Sequence, residues 1–425
     1  MQRFGILFTI CLLAQAGFTQ TVKPVSLTEC YQWAEEAYPL GEKLPLLERA
    51  QDLRIEQIRS ERMPSLDANF MAGFQSEVPH FPPELPSSIS SLIDLPLYKA
   101  QLSVQAGYLI YDGGLTKARI AQEKTQLAAD VQSVAVELNK LKESVNQLYF
   151  GILLLQEKNS ILQTTLENLN TQRKRLEAGI RNGVVLPSAA DQLDVEILKL
   201  QAQIAETQLT ETGLRQQLAD LTGKSQEELG QLVLPEFPTV EFPLPLQRPE
   251  FTWLDLQKES IAQREDLIQA ARMPKVSAFA IGGLGYPNPL NFFDDGIAPY
   301  AQIGLQAKWT IYDWGKQKRD RELLGVQQLI LDNQRDVLET NLNRADANFI
   351  QQIRSIEQLM DSDRQIADLQ AKLLNTISVQ MENGVATVTD YVLQANAETL
   401  ARMQLKTHEV QLAQVKAGYW VHRGQ

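Results

Sequence analysis

Ile110-Tyr111-Asp112-Gly113-Gly114 returns 201 positions later as Ile311-Tyr312-Asp313-Trp314-Gly315. Upstream of each phrase, every second residue is apolar: Leu102, Val104, Ala106, Tyr108 and Ile110 before the first, and Ile303, Leu305, Ala307, Trp309 and Ile311 before the second. That is the period of a strand with two unlike faces. Downstream of the first phrase the period changes. Val131, Val134, Leu138, Leu141, Val145, Leu148, Ile152 and Leu155 follow one another in steps of three and four, and the pattern resumes through Leu162, Leu166, Leu169 and Leu176. This is the coiled-coil heptad. A looser version runs through Leu338, Leu342, Ala345, Phe349, Ile353, Ile356 and Met360. Each phrase therefore marks a switch from strand to long helix.

Working outward, Asn182-Gly183-Val184 and Asn383-Gly384-Val385 lie the same 201 positions apart. Asn and Gly tolerate positive φ, so both triplets read as reversals of the chain. Each outgoing helix, from Asp112 to Asn182 and from Asp313 to Asn383, covers 70 residues, or roughly 100 Å at 1.5 Å per residue. The first return helix stops at Gly223. Arg62-Met63-Pro64 recurs as Arg272-Met273-Pro274, and helices over Leu27 to Met63 and Glu250 to Met273 are expected to end there, because Pro restricts the residue before it. Further alternating runs follow, Leu66 to Phe74 and Val276 to Leu284, each leading into a Pro-containing loop, 77–99 and 287–299.

The expected organisation is a signal peptide at 1–20, a first structural repeat at 21–222, a Pro-rich connector at 223–247 and a second repeat at 248–425. The signal rests on Arg3, the apolar run Phe4 to Leu13 and the small-residue pattern Ala14-Gln15-Ala16, with a cut nearer Gln20 also open. It implies export. Cys11 falls within it, which leaves Cys30 as the lone cysteine of the mature region and rules out an internal disulfide there.

The chain carries a net charge of −12 over 425 residues, which argues against nucleic acid as a partner. No apolar run in the mature region is long enough to span a bilayer as a helix. The strands are different: about a dozen residues suffices for a tilted strand to cross. A lone four-stranded sheet leaves its edges unpaired, which hydrocarbon does not tolerate, so closure has to come from other copies. Two copies would supply eight strands and three would supply twelve; both remain open on this ground. The expected fold class is mainly α with a small β part. Long antiparallel coiled-coil helices would form an α-barrel, and four strands per chain would contribute to a transmembrane β-barrel.

Ser26-Leu27-Thr28-Glu29-Cys30 through Tyr38-Pro39, Met63-Pro64-Ser65-Leu66, the paired Ile-Tyr-Asp phrases, Ala219-Asp220-Leu221-Thr222-Gly223 and Arg248-Pro249-Glu250 occur in an order that resembles the TolC-like outer-membrane efflux family. The resemblance covers essentially the whole mature chain. It implies a homotrimer with a twelve-stranded barrel in the outer membrane, in contact with outer-membrane lipid, and a helical barrel in the periplasm. It also implies a periplasmic adaptor protein and an inner-membrane pump as partners. The function expected from it is an exit duct for efflux or secretion. The alternative is a periplasmic coiled-coil spacer that conducts nothing.

The resemblance gives the two distal turns, Asn182, Gly183, Val184 and Asn383, Gly384, Val385, an adaptor-docking role. It places an acidic residue near the second turn at the pore constriction, which is Asp390 here; the corresponding position of the first repeat is Ala189. Where some relatives carry a gating Arg and Tyr, this chain has Ala386 and Met381. Tyr108, Tyr111, Trp309 and Tyr312 suit an aromatic girdle at the bilayer interface. No catalytic, metal or cofactor site is expected. His80, His408 and His422 have no ligand spacing. Gly223-Lys224-Ser225 imitates the end of a P-loop, but Leu218 stands where the leading Gly is required, so the segment reads as a helix end.

Overall fold

A computed structural model describes residues 24–78, 96–181, 185–238, 242–291, 294 and 296–425. The expected signal peptide, most of the loop 77–99 with His80, and the first turn Asn182-Gly183-Val184 lie outside the described residues. The elements, in chain order, are α1 (Leu27–Ala37), α2 (Leu40–Ser60), β1 (Ser65–Phe74), β2 (Tyr98–Tyr111), α3 (Leu115–Arg181), α4 (Pro187–Thr222), α5 (Pro249–Arg272), β3 (Lys275–Tyr286), β4 (Ala298–Lys308), α6 (Lys316–Glu382) and α7 (Val388–His422). The long helices α3 and α6 have 67 residues each, roughly 100 Å.

The expected order of elements holds, with two differences. The helix expected over Leu27 to Met63 is two helices, broken where Tyr38 turns extended and Pro39 follows. A residue before proline is driven out of the helical region, so the break is local chemistry. The last strand, expected to reach Ile311, ends at Lys308. Its ladder partner runs out there: Lys308 pairs with Lys275, and Pro274, next in line, has no N–H to give.

The chain forms two compact units, and each gathers segments from both sequence halves. One comprises the described parts of Met1–Tyr38, Leu141–Phe242 and Phe349–Tyr419. Its core follows the heptads: Leu162, Leu169 and Leu176 of α3 pack with Leu193, Ile197 and Leu200 of α4 and with Val388, Tyr391 and Ala395 of α7. The same unit closes around the start of α1. Ser26 and Glu29 form a reciprocal cap, and Val25 bridges Leu232 of the connector. The Tyr149 hydroxyl donates toward the carbonyls of Val25 (3.0 Å) and Val233 (2.6 Å). Cys30 is fully buried there, and burial first, then the neighbouring Glu29, pushes its thiol up to about 12. It is a packing residue. Gly223, at φ 65°, ends α4 with the Lys224 N–H on the Ala219 carbonyl, so Gly223-Lys224-Ser225 is a helix stop.

The other unit comprises the described parts of Pro39–Lys140, Pro243–Asn348 and Trp420–Gln425. In it α2 runs antiparallel to α3, marked by Lys43–Glu137 at 3.1 Å and Arg119–Glu61 at 2.5 Å. Helix α5 runs antiparallel to α6 in the same way, marked by Arg335–Asp255 at 2.5 Å and Arg321–Glu265 at 2.7 Å. These ion pairs are exposed and contribute little energy; they report register. The C-terminal end is held by Asp346, which receives Arg423 at 2.6 Å and His422 at 3.1 Å. The strands form one antiparallel sheet in the order β1-β2-β3-β4, with β1 and β4 at its edges.

Leu169→Ala, in the heptad seam, should cost about 2–5 kcal/mol, whereas Glu167→Ala on the exposed side should stay within about 0.5 kcal/mol. Denaturant melts followed by helical circular dichroism measure both; equal melts would contradict the seam.

Candidate functional site

The sheet has two unlike faces, and cross-strand register decides which residues share each. Leu66 pairs with Ala106, Ala106 with Ala280, and Ala280 with Ile303. Phe70 pairs with Leu102 and Leu102 with Leu284; Tyr108 pairs with Ala278 and Ala278 with Leu305. Followed through all four strands, this face holds Leu, Ile, Val, Phe, Ala, Pro, one Gly and a few Tyr, and no other polar side chain. The opposite face carries Asp67, Asn69, Gln101, Ser103, Gln105, Ser277, Gln302, Gln306 and Lys308. The apolar face is uncovered: Phe74 is 76% exposed and Ile303 is 85% exposed. A soluble sheet would bury such a face against a helix or second sheet.

Where the strands meet the long helices, Asp112 and Asp313 make the same construction. Asp112 accepts from the backbone N–H of Gly114 at 2.9 Å and of Thr116 at 2.7 Å. Asp313 accepts from Gly315 at 3.0 Å and Gln317 at 3.1 Å. Each carboxylate thus serves N–H groups that a helix start would otherwise leave unpaired. Burial works to raise the Asp112 carboxyl, but its bonds from Thr116 and Gly114 and the charge of Arg62 outweigh that and hold it below the ordinary range. Asp313 is lowered chiefly by the Gln317 N–H.

Two successive residues take positive φ at each switch: Gly113 and Gly114 in the first, Trp314 and Gly315 in the second. A side chain at Gly113 would place its Cβ 2.4 Å from Cβ of Met273, so only Gly fits. The Trp314 side chain is exposed and lies edge-on to Tyr312 with ring centroids 5.0 Å apart. Crowding therefore distinguishes the two phrases, not backbone geometry.

The aromatic residues singled out from the sequence gather at this end of the sheet. Tyr108 lies on the apolar face, and a register shift between Leu109 and Tyr111 brings Tyr111 opposite Val276 on the same face. Trp309 and Tyr312 follow the end of β4; the Trp309 indole N–H donates to the Arg272 carbonyl at 3.1 Å. All four are exposed.

At the second turn, Gly384 has φ 72°, and the N–H groups of Gly384 and Val385 return to the carbonyls of Met381 and Gln380. Asn383 donates its side-chain amide to Val379 O at 2.8 Å. Val385 is 77% exposed. Asp390 stands in the first turn of α7. Its carboxylate accepts from the Thr387 hydroxyl at 2.6 Å and the Thr387 N–H at 2.9 Å, while the Thr387 hydroxyl accepts from the Asp390 N–H at 3.2 Å. This reciprocal cap has a sequence signal, Thr-x-x-Asp, that was legible beside the turn. The Thr387 bonds hold the Asp390 carboxyl below its ordinary value. Other polar contacts near this turn had no such signal: Arg175 pairs with Glu382, and Gln172 donates to Ser378 at 2.7 Å. Among the described residues no helix is long and apolar enough to cross a membrane, and no group of three or more potential metal ligands occurs.

The outer membrane efflux protein family profile matches residues 47–224. No curated protein sequence matches the chain. Among solved structures, the outer membrane protein VceC of Vibrio cholerae aligns at 16% identity and a TM-score of 0.66, over 94% of this chain and 96% of that one. The Campylobacter jejuni CmeC outer membrane channel aligns at 14% identity and 0.63, over 94% and 85%. The open state of the Neisseria gonorrhoeae MtrE outer membrane channel aligns at 16% identity and 0.63, over 94% and 88%. Residues 47–224 thus match the outer membrane efflux protein family, and nearly the whole chain shares its fold with these outer membrane channels.

Proposed function

We propose that this chain is one of three identical subunits of a passive exit duct in the outer membrane. The observation that carries this reading is the uncovered sheet, apolar on one face and polar on the other, with unpaired edges at β1 and β4. In hydrocarbon those edges need partners, and the partners that fit are the complementary edges of further copies. The apolar face then meets lipid and the polar face lines water. The choice of three copies leans on the resemblance to the TolC-like family. The duct performs no catalysis; an inner-membrane pump supplies the energy and a periplasmic adaptor joins the two. The exposed Val385 and its flanking turn suit the adaptor contact, and the first turn is the matching element of the other repeat.

We assign Asp390 a place at the periplasmic constriction. Its committed bonds to Thr387 fix the start of α7, and symmetry would repeat the charge around the axis. A ring of carboxylates attracts cations. The folded-state value lies below that of a free Asp. The cap's contribution is therefore complete above the free-Asp value of about 3.9 and is lost as pH falls through the lower folded value.

Purified protein in a planar bilayer should conduct without nucleotide, and the detergent-solubilised complex should weigh about three times the mature chain. A stable, non-conducting species would favour the coiled-coil spacer. Leu305→Arg should impair membrane assembly by roughly 2–4 kcal/mol if Leu305 lies near the midplane, whereas Lys308→Glu should assemble normally; equal tolerance would reverse the faces. Asp390→Ala should lower cation selectivity and weaken block by divalent ions. Acid, by protonating Asp390, should do the same to the unsubstituted channel. Unchanged selectivity would leave Asp390 with its capping role alone.

A further inference from the structure

A cavity of about 660 Å³ opens where the apolar face ends, beside the first strand-to-helix switch. Tyr108, Tyr111 and Met63 line it together with Arg59, Arg62 and Lys117. All three cations are exposed, and Arg59 and Lys117 make no ion pair among the described residues. Arg62 makes one long bond, 3.5 Å, to the Ile110 carbonyl. Asp112, which accepts from two backbone N–H groups, also lines the cavity and offsets one of the three positive charges. Glu61, nearby in sequence, is taken by Arg119. The cavity is therefore net positive, with an aromatic wall continuous with the apolar face.

The equivalent cavity of the second repeat, about 490 Å³, is lined by Arg272, Lys316, Lys318 and Arg321. Its four cations meet four carboxylates: Glu265 holds Arg321 at 2.7 Å, Glu322 lies 3.9 Å from Lys318, and Asp313 and Asp320 share the lining. The two repeats thus differ here.

We propose that the first cavity holds the phosphate of an anionic phospholipid, with its acyl chains lying against the apolar face beside Tyr108 and Tyr111. Guanidinium groups match phosphate oxygens with paired, directed donors. Basic pockets at the membrane boundary select anionic headgroups, and aromatic rings sit at headgroup depth. Free phosphate shares the headgroup chemistry but would gain nothing from the aromatic wall. The inference rests on the apolar face being lipid-facing.

The test reconstitutes the full-length protein in phosphatidylcholine nanodiscs containing phosphatidylglycerol, extracts it in detergent and counts retained lipid by mass spectrometry. The unsubstituted protein should retain phosphatidylglycerol in preference to phosphatidylcholine. Arg59→Gln, Arg62→Gln and Lys117→Gln together should abolish the preference, Lys117→Gln alone should weaken it about fivefold, and Lys158→Gln should leave it unchanged. Should the triple variant fail to assemble, Lys117→Gln, on an exposed side chain, carries the test. Excess inorganic phosphate should not displace the lipid; displacement would make this a free-phosphate site and overturn the assignment. Insertion without any phosphatidylglycerol preference, or equal preference in the variants, overturns the proposal while the membrane reading stands. Failure of the unsubstituted protein to insert defeats both.

Discussion

A strand in hydrocarbon must find a partner for every backbone N–H and C=O it carries, because no water is present to take their place. The described residues form four strands with two free edges, and among them the requirement is not met within one copy. Its side chains are sorted accordingly. Register keeps every residue of one face apolar, Tyr hydroxyls aside, across three separate pairings, one of which, β2 with β3, joins strands far apart in the chain and separated by long helices. A slip of one residue in any pairing would put Gln or Lys among the Leu and Ile side chains. The sheet is thus specified more strictly by its intended surroundings than by its own packing.

The second constraint is the change of period at Asp112 and Asp313. A strand cannot run into a helix of 67 residues without leaving helix-start N–H groups exposed, and each Asp accepts two of them. This interaction explains why the repeated phrase contains Asp followed by positive-φ residues. Beyond the switch the heptads take over, and the core of the helical unit falls on Leu162, Leu169 and Leu176 at seven-residue spacing. The two compact units cut across the sequence repeats because antiparallel helices bring residues distant in the chain side by side.

Much of this was legible in the sequence. The alternation at 102–110 named β2 and its apolar face, and Gly223 named the end of α4. What was not legible depended on partners. The end of β4 at Lys308 is set by Pro274 on its neighbour, which the alternating run through Ile311 does not reveal. The positive cavity beside Tyr111 draws Arg59 and Lys117 from two helices, whose antiparallel register no local pattern announces. Asp390 illustrates the opposite case: family resemblance suggested a pore charge, while the capping bonds to Thr387 give it a local reason to be acidic.

Edge pairing between copies is the claim on which the rest of this account depends. It can be tested by placing one cysteine in β1, Asn69→Cys, and a second in β4 at Gln302, Gly304 or Gln306 in turn, then oxidising outer-membrane fractions. The buried Cys30 thiol, pushed up to about 12, should stay silent. A disulfide forms only when Cα atoms approach within about 7 Å, as facing strands do. At least one pairing should yield covalently linked dimers and trimers on a non-reducing gel. Monomer alone in every pairing, from protein resident in the membrane, would contradict closure of the sheet by its own copies.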